Sequence, residues 1–263
     1  MDQLLDRGNE SSSAPEPFPE IRTISAGRPL VWLAEGLRDI GRTPLASLGM
    51  GLLIALVGAI LLGAGWKANY VAPAMLGGFL LVAPFLALPL YALSAQHERG
   101  ERSEVSRAWG SVRGNAGSIA LFGLVLMLAY IVWERLAAIT FALFYRGEPL
   151  NVANLLPELF LSGRYNQLLL AYFAIGALLA GAVFALSVVT APLLLDRPRS
   201  DTVTAMLTSV QACLRNAGPL LLWALLLAGL TLLGFLTLTL GFVLIFPLLA
   251  HASWHAYRDL VAR

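Results

Sequence analysis

The chain has 263 residues, of which 58% are hydrophobic and 13% charged, with a formal net charge of +2. Soluble globular domains carry roughly 25% charged residues, so little of this chain can form one. Its single cysteine, Cys213, excludes an intrachain disulfide and any multi-cysteine metal site, and reads as a small packing residue.

Residues 1–26 carry Asp2, Asp6, Glu10, Glu16 and Glu20 among Ser11, Ser12, Ser13, Pro15, Pro17 and Pro19. They hold too few apolar groups to offset chain entropy, which predicts a disordered tail. No basic segment runs into a short apolar stretch with a cleavage site, so no signal peptide is expected and the first apolar span should stay in the mature protein. An amphipathic segment follows, with Leu30, Leu33, Ala34, Leu37 and Ile40 opposite Glu35, Arg38, Asp39 and Arg42 at helical spacing.

Five uncharged blocks come next: Leu45–Trp66, Tyr70–Leu93, Ala116–Trp133, Leu168–Leu195 and Asn216–Tyr257. Each can supply the roughly 20 apolar helical residues that cross a bilayer. The last block has 42 residues, and a helix of that length would reach about 63 Å, twice the roughly 30 Å hydrocarbon core. It must therefore be two spans, turning within Gly234–Gly241, where glycines loosen the helix and threonine hydroxyls can satisfy freed backbone groups. Six spans are predicted, at about 45–66, 70–94, 117–140, 168–194, 218–236 and 239–257.

Each pair of spans is preceded by an amphipathic segment. In the second, Val105, Ala108, Trp109 and Val112 oppose Glu104, Arg107 and Arg113; in the third, Val203, Met206, Leu207, Val210 and Leu214 form the apolar face, with Ser200 or Asp201 placed to cap the start. Each segment ends in a breaker: Thr43-Pro44, Gly114-Asn115-Ala116-Gly117 or Asn216-Ala217-Gly218-Pro219. The second span of each pair carries Pro89-Leu90, Pro192-Leu193 or Pro247-Leu248, followed by Arg99, Arg197 or Arg258. The expected architecture is an all-α membrane protein: a domain over 27–263 with six transmembrane helices, as three repeats (about 28–100, 101–199 and 200–263) of an interfacial amphipathic helix plus a transmembrane hairpin.

Arginine and lysine set the orientation. The N-terminal segment, the second and fourth connections and the C-terminus hold 14 of them, against Lys67, Arg146 and Arg164 on the other side. Both termini are therefore expected in the cytoplasm. The basic connectors are short and interrupted by acids, so anionic headgroups rather than nucleic acid are their expected partners.

The strings Arg28-Pro-Leu-Val-Trp-Leu-Ala-Glu-Gly-Leu-Arg-Asp, Leu194-Leu-Asp-Arg197, Thr202-Val-Thr-Ala-Met-Leu-Thr-Ser and His251-Ala-Ser-Trp-His-Ala-Tyr-Arg-Asp resemble the DUF2189 family of bacterial integral membrane proteins. The resemblance covers about residues 21–263. It implies a bacterial inner-membrane setting, and it brings no catalytic or binding residue.

Candidates for chemistry are few. His251, His255 and Asp259 are spaced by four on one helix face; two imidazoles and a carboxylate could hold a metal, with His97 as a further ligand. The alternative is a polar face meeting headgroups, anchored by Trp254 and Tyr257. Glu134 and Arg135 are the only charges inside an apolar region, either a solute or proton path or a pair snorkelling at the far boundary. Ser47, Gly51, Ala55, Ala59 and Gly63 recur every fourth residue, a stripe for close helix approach. No phosphate-binding loop, dinucleotide fingerprint, zinc-protease motif or nucleophile elbow is present. The sequence thus points to a non-enzymatic component that organises lipid or partner proteins, without cofactor, alone or as a homo-oligomer. A small-solute transporter or channel is the second reading, and a metal- or haem-handling protein the third.

Overall fold

A computed structural model describes residues 18–67, 82–145 and 160–263. The helices start and stop where local chemistry dictates. α1 (Arg28–Arg42) opens with Pro29 in its first turn, where a missing amide costs nothing. It closes at Thr43, whose amide and hydroxyl both donate to the Asp39 carbonyl before Pro44 begins α2 (Pro44–Lys67). Then come α3 (Leu88–Glu98), α4 (Val105–Arg113), α5 (Ala116–Phe144), α6 (Asn166–Ser187), α7 (Thr190–Asp196), α8 (Thr202–Arg215), α9 (Ala217–Leu236) and α10 (Phe242–Leu260). The break between α6 and α7 falls at Val188 and Val189, one turn before Pro192, whose ring displaces the carbonyl four residues back. Asp201, not Ser200, caps α8: its carboxylate accepts from the Thr204 amide at 2.9 Å.

Four stretches are long and apolar enough to cross a membrane: Pro44–Gly63, Ala116–Phe144, Asn166–Asp196 and Ala217–Leu236. The expected second span runs into residues 68–81, which lie outside the described residues. The expected sixth corresponds to α10, which carries too many polar groups to count among the four. Between α9 and α10 the chain does turn within 234–241. Leu238 and Thr239 take left-handed backbone angles (φ 53° and 71°), the Thr237 hydroxyl donates to the Gly234 carbonyl, and that of Thr239 donates to the Ala55 carbonyl on α2, both at 2.9 Å.

The expected N-terminal tail falls partly outside the described residues, but its last part is held. Ile21 is buried and bridges Val261, with Arg22 N donating to Leu260 O and Ala262 N to Glu20 O. The two ends of the described chain are thus tied together.

At the centre stand α3, α7 and α10, which touch one another and are buried along most of their length. α1 and α2 pack on α10, α4 on α3, and α8 on α6 and α7. The helices expected at the interface turn a different face inward from the one their apolar stripes suggested. On α1 the buried residues are Pro29, Trp32, Gly36, Asp39 and Ile40, while Leu30 and Leu37 are 57% and 50% exposed. On α8 they are Thr202, Ala205, Thr208, Ser209 and Ala212, while Val203, Leu207 and Leu214 face out. On α4, Ala108 is buried and Trp109 is not. In a soluble protein the apolar stripe would seek the core; beside a bilayer the lipid can take it, leaving the small and polar face for the protein.

The small residues expected to form a stripe on α2 differ in their surroundings. Ser47, Gly51 and Ala55 are buried against α10, and a Cβ on Gly51 would lie only 2.1 Å from the Val243 carbonyl oxygen. That carbonyl is the one deprived of its helical partner by Pro247, so the glycine lets α2 approach α10 one turn before the proline. Ala59 faces outward, and among the described residues nothing lies within 4 Å of the Cβ position of Gly63. A row of every fourth residue drifts about 40° per step around a helix with 3.6 residues per turn, so it leaves the contact after two steps. Gly58, eleven residues after Ser47, stays on the face and lies against Thr239.

Candidate functional site

Two of the three histidines, His97 and His255, bond one buried carboxylate, Asp39, which is 1% exposed, and the third, His251, is linked to it through Ser94. α1 contributes Asp39 from its inward face, and Gly36, one turn earlier, sets the distance. A Cβ there would sit 2.9 Å from the Leu248 carbonyl oxygen and 3.0 Å from the Ala252 amide nitrogen, so only glycine lets α1 lie this close to α10. α10 supplies His251 and His255, one turn apart. α3 supplies Ser94 and His97, and α2 supplies Ser47.

The contacts form a connected network. Asp39 Oδ2 lies 2.7 Å from Ser94 Oγ, which donates to it, and 2.9 Å from His255 Nε2; Oδ1 lies 3.1 Å from His97 Nδ1 and 3.2 Å from Arg42. Ser94 Oγ is also 2.7 Å from His251 Nδ1, and the other nitrogen of that ring is 2.9 Å from Ser47 Oγ. On the outer side, His255 Nδ1 is 3.4 Å from Glu35. Burial alone would raise the Asp39 carboxyl, but hydrogen bonds from His255, His97 and Ser94 outweigh it and hold the group far below the ordinary carboxylate range. Asp39 is therefore an anion at neutral pH. The other ring nitrogen of His97, Nε2, is buried with no hydrogen-bond partner among the described residues.

The bonded chain Glu35, His255, Asp39, Ser94, His251, Ser47 runs inward from the partly exposed Glu35. It ends there, because the next residues inward along α2 and α3, Ile54 and Leu90, are buried hydrocarbon. Ser47 and Ser94 flank an imidazole as a nucleophile would, yet both hydroxyls and the ring are fully buried, leaving no space for an acyl group at either oxygen. As metal ligands the histidines are arranged around Asp39 rather than around a shared point. Among the described residues no group of three or more histidine, cysteine or acidic side chains is placed to hold an ion.

Asp259 lies on the same face of α10 but outside the network, accepting at 2.6 Å from both Arg28 Nε and the Trp32 indole. It fastens the start of α1, and Trp32 in turn meets Trp223 of α9 edge-on at 5.5 Å. Glu134 and Arg135 are elsewhere altogether, paired with each other at 3.0 Å on the outer surface of α5. Sequence periodicity put Asp39 on the solvent face of α1 and gave it no role. The available signal was an acid within an interfacial helix in a chain whose only three histidines all follow span ends or sit near one.

Residues 71–196 match the model of a family described as a predicted integral membrane protein. That family is the one called DUF2189. The DUF2189 match includes Ser94 and His97 but neither Asp39 nor the histidines of α10, so the network joins the matched region to both flanks. Of the strings that carried the resemblance, only Leu194-Leu-Asp-Arg197 reaches into it. No curated protein and no solved structure matches the chain.

Proposed function

We propose that the protein is a non-enzymatic component of the bacterial inner membrane, with six spans and both termini in the cytoplasm, that organises lipid or partner proteins around a closed centre. The observation that carries this reading is the seal on the central axis. An apolar cavity of about 260 Å³ lies between Tyr91, Trp223, Phe246 and Ser253. A separate cleft of about 600 Å³, lined by charged side chains, opens at the arginine-rich end of the same helices. The two share no residue, and Leu90, Leu93, Leu193 and Leu194, each at most 1% exposed, belong to the buried core of those helices. A solute path needs continuous polar lining, so this favours a scaffold over a channel among the described residues.

Helix contacts support three repeated units. Each interfacial helix lies on the second span of the preceding unit, α4 on α3 and α8 on α6–α7, and α1 closes the ring on α10. The inward small residues Gly36, Ala108 and Ser209 occupy matching places, seven residues before Thr43, Asn115 and Asn216. Asn115 donates to the Ser200 carbonyl ahead of α8, and Asn216 donates to the Arg22 carbonyl ahead of α1. The Asp39 network breaks this symmetry, since the place of Asp39 is taken by Ser111 and Ala212 in the other units.

Native mass spectrometry of the purified chain tests the reading, with retained phospholipid or a homo-oligomer expected and no stoichiometric metal. Rapid solute or ion flux through vesicles containing the protein would overturn it. Among the described residues the three histidines are not placed around a common point, which disfavours a metal-handling role. One bound zinc, copper or iron ion that disappears in His255→Ala would establish that role instead.

A further inference from the structure

We infer that the cleft at the arginine-rich end of α3, α7 and α10 is a binding site for a phosphate-bearing anion. Six side chains make its charged lining: Glu98, Arg99, Asp196, Arg197, Arg258 and Arg263. Four guanidinium groups stand against two carboxylates, a surplus of two positive charges. Both carboxylates are already committed. Glu98 accepts from Arg258 at 3.0 Å, from Arg263 at 2.6 Å and from the Trp254 indole at 3.3 Å; Asp196 accepts from Arg258 at 3.3 Å and from the Tyr257 hydroxyl at 2.7 Å. Arg197 donates only to a backbone carbonyl, that of Ala262, and Arg99 pairs with Glu101, outside the lining.

Arg258 is fixed by these bonds and by the rings of Trp254 and Tyr257, 6.0 and 5.8 Å away, so it forms a rigid floor. Arg99, Arg197 and Arg258 come from the ends of three different central helices and all line the cleft. A planar guanidinium fork matches the paired oxygens of a phosphate, and Arg197, which meets no carboxylate among the described residues, is the fork placed to offer its donors to one. The volume of about 600 Å³ holds more than the phosphate alone and falls within the usual range for ligand sites.

A phospholipid headgroup and a soluble phosphate ester share this chemistry. The site deepens the lipid-organising reading if the source is a headgroup, and it stands without that reading if the source is soluble. The test is titration of the full chain in neutral detergent with phosphatidylglycerol and, separately, with inorganic pyrophosphate. Arg197→Gln and Arg99→Gln are the variants; Arg99 is exposed, so its loss leaves the fold intact. Arg113→Gln, an exposed arginine outside the cleft, is the control.

Saturable one-to-one binding is expected, weakened about tenfold or more in each cleft variant, because each removes a charge-assisted hydrogen bond, and unchanged in the control. Binding of phosphatidylglycerol alone makes the source a headgroup, and pyrophosphate binding alone makes it soluble. Absence of saturable binding by both probes, or wild-type affinity in both variants, overturns the site. Lipid retained elsewhere on such a protein would leave the scaffold reading standing, while vesicle flux with an intact cleft titration would remove that reading and keep the site.

Discussion

Asp39→Ala should be the most damaging single substitution in the described structure. It removes the acceptor of Ser94, His97 and His255. Ser94 keeps a partner in His251, but His97 and His255 each lose one inside the protein. Leaving buried His97 without its acceptor costs about 1–3 kcal/mol, and the bonds lost by Ser94 and by the partly exposed His255, which keeps Glu35, add about 0.5–1.5 kcal/mol each, so a loss near 4 kcal/mol is expected. At about 2–4 °C per kcal/mol for a chain of this size, the melting temperature should fall by roughly 8–16 °C. Thermal unfolding in detergent, followed by far-UV circular dichroism, measures this. Arg42→Gln is the internal contrast: Arg42 also bonds Asp39 but is 60% exposed, so its loss should cost at most about 1 kcal/mol. An Asp39→Ala protein melting within about 3 °C of wild type, or equal losses in both variants, would refute the claim that this network holds α1, α3 and α10 together.

The pH dependence has a defined sign. The Asp39 carboxyl in the folded protein lies below its unfolded value of about 3.9, so the stability it confers is complete above that value and is lost as pH falls through and below it. Melting temperatures measured from pH 7 to pH 3 should drop more steeply at the acid end in wild type than in Asp39→Asn; parallel curves would contradict the assignment. On α2, Gly51→Ala should destabilise by about 1–3 kcal/mol or more, since its methyl would overlap the Val243 carbonyl, whereas Ala59→Leu should stay within about 0.5 kcal/mol. Melting of the two variants side by side checks this, and an equal loss in both would mean that Ala59 has a contact partner.

Hydropathy determined that this is a helical membrane protein, and length alone split the last apolar block into α9 and α10. Breakers were equally legible: Pro44 and the Gly234–Gly241 turn act on the backbone within a few residues, so no distant contact is needed to read them, whereas the break at Pro192 was not expected within its span. Asp201 was likewise readable as a cap. The inward faces of α1 and α8 were not, because periodicity finds an apolar stripe without saying whether lipid or protein covers it. Ala59 failed for a related reason: a four-residue row follows a contact only as far as the helix pitch allows, and the crossing with α10 decides where it stops. Asp39 shows the limit most clearly. As a residue in a sequence it belongs to a polar face; it becomes a buried anion only when Gly36 admits α10 and α3 closes from the other side, and no local pattern carries the relative position of three helices that lie 55 to 216 residues apart along the chain.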